Sequence, residues 1–163
     1  PIAPLDPNPD SFETGSWPVN PWFSSGDGDW TISTVRASEG TSSLQSPDFD
    51  GRPDPQSSNA TLILGPDFGG GVMNLVVWAS VFPPQDLFVI SIDGITAAQF
   101  VDVNEWQPVN LGLSPGEHRI DFRYEYNTFG VNPLPPRQPQ TEGAVWIDSV
   151  EVIELTRRQQ NRL

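Results

Sequence analysis

The chain has 163 residues and a formal net charge of −13, with 21 Asp and Glu set against eight cations, all of them Arg. That balance excludes nucleic acid and anionic membrane surfaces as partners, because phosphate binding is driven by clustered cations. The absence of Cys excludes disulfides, thiolate metal sites and Cys nucleophiles, and no apolar run approaches the roughly 18 residues of a membrane-spanning helix.

The remaining composition points to strands. Hydrophobic residues make up 36% of the chain and include six Trp, enough for one buried core. The 18 Pro and 14 Gly are too many for helices and suit short strands cut by turns. No window carries a 3.6-residue apolar stripe, and the only helix-friendly run is Glu154 to Leu163. The expected fold is an all-β, two-sheet antiparallel jelly-roll β-sandwich of about ten strands.

In chain order, residues 1–10 carry Pro at positions 1, 4, 7 and 9 and read as an extended arm or linker. Opening on Pro1 rather than Met is expected of a processed secreted protein or an excised domain. The sandwich is expected over 11–154, followed by a basic tail at 155–163 that carries Arg157 and Arg158. Ser11 to Thr14 reads as a first strand, followed by Trp17 and Trp22 among prolines and by a Ser24-to-Asp29 turn. Strands are predicted at Trp30–Val35, Ser42–Gln45 and Ala60–Leu64, with a loop over Pro47–Ser58. Asn59-Ala60-Thr61 is a glycosylation sequon, a triplet that chance also produces. After the Gly65–Gly71 turn, Val72–Phe82 is apolar enough to lie inside its sheet. Asp86–Asp93, Ala97–Val101 and Trp106–Leu111 continue the series at sandwich spacing.

The clearest signals come last. After the turn Leu113-Ser114-Pro115-Gly116, residues 117–126 alternate strictly. His118, Ile120, Phe122, Tyr124 and Tyr126 fall on one face, and Arg119, Asp121, Arg123 and Glu125 on the other. A Pro-rich loop over 127–140 leads to Ala144–Ile153, a β-branched and aromatic strand with Asp148 at its centre.

Little here supports catalysis. His118 is the single His and reads as structural, with no Gly-x-Ser-x-Gly elbow to partner it. In Trp146-Ile147-Asp148-Ser149-Val150-Glu151, Trp stands where a glycanase nucleophile belongs, so no retaining pair is assembled there. Oxygen ligands suited to Ca²⁺ occur as Asp27 with Asp29 and as Asp48, Asp50 and Asp54. For each of these groups a solvated acidic turn is the competing reading. Asp148 sits among apolar neighbours, where an ion, an Arg or backbone amides must compensate its charge. For sugar contact the candidate aromatic platforms are Trp17, Trp22 and Trp106, with packing against the sandwich as the alternative; Trp78 and Trp146 read as core.

An ordered set of fragments carries a resemblance. Phe12-Glu13 is followed by Pro21-Trp22, Gly28-Asp29-Trp30-Thr31-Ile32 and Glu39-Gly40-Thr41-Ser42-Ser43-Leu44. Ile90-Ser91-Ile92-Asp93-Gly94, Gly116-Glu117-His118, Phe122-Arg123-Tyr124 and Gly143 to Val150 complete it. From Phe12 to about Val152 the chain resembles the MAM-like and carbohydrate-binding-module-like jelly-roll domains of bacterial and algal surface proteins. The resemblance implies a non-enzymatic module, secreted or on the cell surface, acting in adhesion, glycan contact or matrix assembly. It also implies first and last strands lying side by side, with a structural Ca²⁺ near Glu13 and Asp148. MAM cysteines are absent and the Pro133–Pro139 insert departs from the pattern. The expected partner is a glycan, a surface protein, or further copies of the chain recruited through residues 1–10.

Overall fold

The computed structural model describes residues 12–13, 17–18, 21–49, 56–81, 86–100, 103–126, 143–155 and 162. The proposed arm, most of the basic tail, the loop over 127–140 and Asp50 with Asp54 lie outside them. Among the described residues ten strands form: β1 (Trp22–Gly26), β2 (Thr31–Ser33), β3 (Ser43–Gln45), β4 (Gln56–Leu64) and β5 (Gly71–Ser80), then β6 (Asp86–Ile92), β7 (Ile95–Phe100), β8 (Val103–Leu113), β9 (His118–Tyr126) and β10 (Ala144–Glu154). They make two five-stranded antiparallel sheets, ordered β1-β4-β9-β6-β7 and β2-β3-β10-β5-β8. This is the two-sheet β-sandwich that the turn-rich composition predicts.

Strand β9 shows why the sheets face each other. Its five even-numbered side chains are buried and its odd-numbered ones point to solvent or the rim. In the interior, Trp22 meets Phe122 of the same sheet at 5.6 Å, Phe88 meets Trp30 at 6.1 Å, and Phe49 stacks on Tyr124 at 5.6 Å. Each such ring removes on the order of 2–3 kcal/mol of apolar surface from water. The β6–β7 hairpin turns on Asp93 (φ 53°) and Gly94 (φ 82°), the paired positive angles that match strand twist in a two-residue turn.

The N-terminal expectation needs correcting. Phe12 and Glu13 are not in a strand; Phe12 has φ 58°, in the left-handed region, and its ring is buried against Trp22. Strand β10 is flanked by β3 and β5, not by an opening strand of the chain. The edge strand Trp22–Gly26 lay hidden in a stretch that reads as Pro- and Ser-rich turn. It forms because Trp22 seals the core beside Leu62 and because Gly26 (φ 108°) lets the backbone pass tight against Ser57.

Candidate functional site

Two carboxylates far apart in sequence hold one turn. Asp148 is fully buried on β10, and its Oδ2 accepts the backbone N–H groups of Ser38 (2.8 Å) and Glu39 (3.0 Å). Its Oδ1 accepts the N–H of Ser149 (2.8 Å), at a bulge where Ser149 takes φ 54°. Of the three compensations open to a buried Asp148, backbone amides are therefore in place. Glu13 grips the same turn two residues further on, accepting the Thr41 and Ser42 N–H groups at 3.0–3.1 Å and the Thr41 hydroxyl at 3.0 Å. Gly40 takes φ 65° beside the Glu13 carboxylate, a left-handed backbone angle that favours glycine.

The electrostatics of the pair are opposed. The Ser42 and Thr41 amides hold the Glu13 carboxyl below its usual range. Burial pushes Asp148 up, more strongly than the Glu39, Ser38 and Ser149 amides pull it down, and the charge of Glu13 adds to the rise. Two like charges thus bear on one turn. Their oxygen-only chemistry fits a hard cation such as Ca²⁺, whose shell tolerates backbone carbonyls and water beside carboxylates. Among the described residues no group of three or more Asp, Glu or His converges, so side chains would supply two carboxylates only.

The other acidic candidates are placed apart. Asp27 is exposed and closes the end of β1 onto β4, accepting the Ser57 N–H at 2.9 Å. Asp29 and Asp48 are exposed. Of the aromatic candidates, Trp22 is a correction: at 5% exposure, wedged among Phe12, Trp17 and Phe122, it offers no free ring face. Trp17 is half-buried against the core beside it. Trp106 is half-exposed, edge-on to Trp78 at 6.0 Å. The Arg36 guanidinium covers Trp78 (4.1 Å) and Trp146 (4.8 Å), so these two rings are sheltered under a cation.

His118 is structural in its contacts. The ring is buried, with Nδ1 2.6 Å from Asp93 Oδ2 and Nε2 2.6 Å from the Ser114 carbonyl. When the ring is protonated both nitrogens donate, which ties the β6–β7 turn to the β8–β9 turn. Burial alone would lower its pKa, but the Ser114 carbonyl and the Asp93 carboxylate outweigh it and raise the value.

A polar surface that a search for tryptophans misses lies on the open face of the first sheet. Register places Phe23, Thr61, Asp121 and Ser91 in one row across β1, β4, β9 and β6. The next row is Ser25, Asn59, Arg123, Val89 and Gln99, reaching β7. Phe23, on the edge strand, is 54% exposed and leaves its ring open to solvent. Asp121 accepts from the Thr61 hydroxyl (2.6 Å) and from Arg119 Nε (3.0 Å), and Arg123 pairs with Glu125 at 2.6 Å. These contacts hold the Asp121, Arg119 and Arg123 charges in fixed positions on that face, with the buried Thr61 (3% exposed) anchoring Asp121 from within the sheet. The signal was present in the sequence as the wet face of β9.

Fold and site together define a two-sheet β-sandwich with an open polar face. No family model matches the chain, and no curated protein matches it. Solved structures do. The carbohydrate-binding module TmCBM61, determined in complex with β-1,4-galactotriose, superposes with a TM-score of 0.58 at 13% identity over 90% of this chain and 95% of that one. The K3 cleaved adhesin domain of Lys-gingipain from Porphyromonas gingivalis W83 gives 0.58 at 16% identity, over 89% and 97%. The C-terminal family 22 carbohydrate-binding module of Clostridium thermocellum Xyn10B gives 0.55 at 14% identity, over 90% and 92%. At such identities the likeness is one of fold, and it is shared with carbohydrate-binding and adhesin domains. Among the described residues no helix is long and apolar enough to cross a membrane.

Proposed function

We propose that this chain is a non-catalytic binding module that takes a glycan across the open face of its first sheet, in a secreted or cell-surface setting. The observation that carries the reading is the pair of rows centred on Asp121 and Arg123, beside an exposed Phe23. Sugars present apolar C–H faces and a rim of hydroxyls, so one exposed ring amid fixed donors and acceptors suits them. The strong negative charge favours a neutral glycan over a polyuronate. A non-catalytic role is supported by His118, the single His, whose two ring nitrogens are both engaged with Asp93 and the Ser114 carbonyl.

The same reading gives calcium a structural part. Glu13 and Asp148 would hold the ion at the 38–42 turn, and its charge would relieve their mutual repulsion. Adhesion to a glycan-bearing surface is the setting in which such a module would act. The test is affinity electrophoresis and calorimetry against neutral plant, algal and bacterial polysaccharides. Arg123→Ala removes charge-assisted hydrogen bonds worth about 1.5–3 kcal/mol and is expected to weaken binding about tenfold or more. Binding unaffected by both Arg123→Ala and Phe23→Ala would overturn the site.

A further inference from the structure

On the opposite side of the sandwich the second sheet carries a shallow groove between β10, β5 and β8. Its floor is Val76 beside Pro108, directly paired across β5 and β8. The next pair along, Asn74 and Asn110, is joined amide to amide at 2.6 Å. That bond uses one donor and one acceptor and leaves the Asn74 amide N–H₂ and the Asn110 carbonyl without partners among the described residues. The far wall is made by the β10 bulge, which shifts register between Asp148 and Glu151 and sets Ser149 and Glu151 over the groove. Ser149 is fixed by a bond to Glu39 at 3.2 Å, whereas the half-buried Glu151 carboxylate has no partner among the described residues.

We propose that this groove is a second saccharide site, taking one neutral pyranose. The apolar Val76–Pro108 floor matches the C–H face of the ring. The Asn74 and Asn110 amides and the Glu151 carboxylate match hydroxyls on its edge, each offering what a hydroxyl lacks a partner for. The unpaired Glu151, with Glu39 nearby and a chain charge of −13, turns away uronates and sulfated sugars. The bulge decides which residue reaches the site: a regular strand would set the apolar Val150 opposite Asn74, whereas the shifted register sets Glu151 there. Because the groove lies on the other sheet, it stands or falls separately from the Arg123 face.

The test uses the full chain, isotopically labelled, titrated with the methyl glycosides of glucose, galactose, mannose and xylose to about 10 mM, the range where a single-residue contact is measurable. Side-chain amide resonances of Asn74 and Asn110 are followed. At least one sugar is expected to shift both saturably, with the response intact in Arg123→Ala. Asn110→Ala and Glu151→Gln alter exposed or half-exposed groups, and their backbone spectra report folding. Each is expected to weaken the response, measured at the other resonances of the groove, about fivefold or more. No saturable shift with any of the four sugars overturns the site, as does a shift that Arg123→Ala abolishes. Shifts confined to the first sheet would keep the Arg123 face and remove this one; shifts confined to the groove would do the opposite.

Discussion

Replacing Asp148 by Ala tests how the 38–42 turn is tied to β10. The substitution removes the acceptor for three backbone N–H groups, those of Ser38, Glu39 and Ser149. Bonds to a charged acceptor contribute about 1.5–3 kcal/mol each. Ser38 and Glu39 sit in an exposed turn, where water replaces part of what is lost, and removing a buried charge returns some of its desolvation cost. The net loss expected is about 2–4 kcal/mol, or roughly 4–16 °C in Tm for a chain of this size. Asp148→Asn keeps one acceptor oxygen and should lose less. The pH profile carries the sign: the folded pKa is raised above its ordinary value. The contribution of Asp148 is therefore greatest below the unfolded value and falls as pH rises through the folded one. Calcium should add stability by preferential binding, about 2.7 kcal/mol at a hundredfold excess over Kd, and that gain should vanish in Asp148→Ala. Chemical denaturation with calcium and with chelator measures all of this. A loss below about 0.5 kcal/mol for Asp148→Ala, the range of a neutral surface change, would refute the clasp. A calcium gain that survived the substitution would remove the metal.

His118 titrates in the other accessible window. Its raised pKa means that the stabilisation from the imidazolium is fully present below an unfolded value near 6.5 and is lost as pH rises through the folded value. The wild type should lose stability over that interval relative to His118→Gln, and parallel denaturation midpoints would contradict it. Trp22 and its neighbour Phe23 should separate stability from binding. Trp22→Ala empties a core site and should cost about 3–5 kcal/mol, whereas Phe23→Ala, at an exposed ring, should stay within about 0.5 kcal/mol. Equal destabilisation by the two would overturn the assignment of one ring to the core and the other to the surface.

Local pattern determined much of this protein. The alternation from His118 to Tyr126 identifies a strand with one wet face, and it survives because pleat geometry has a fixed period of two. A buried Asp148 inside an apolar strand announces that something must compensate its charge, since an unpaired carboxylate in low dielectric is too costly to persist. The lack of helix among the described residues was legible for a similar local reason, since no window carries a 3.6-residue apolar stripe. Tertiary structure alone decided which partners those residues met. Ser38 and Glu39 lie more than 100 positions from Asp148, and no periodicity encodes such a contact. The edge strand Trp22–Gly26 exists only because β4 is there to pair with it, and the same packing turned Trp22 from a surface ring into core. The first of the two proposed binding faces has a similar origin. Sequence supplies Phe23, Asn59, Asp121 and Arg123 as scattered polar and aromatic positions, and sheet register alone sets them side by side.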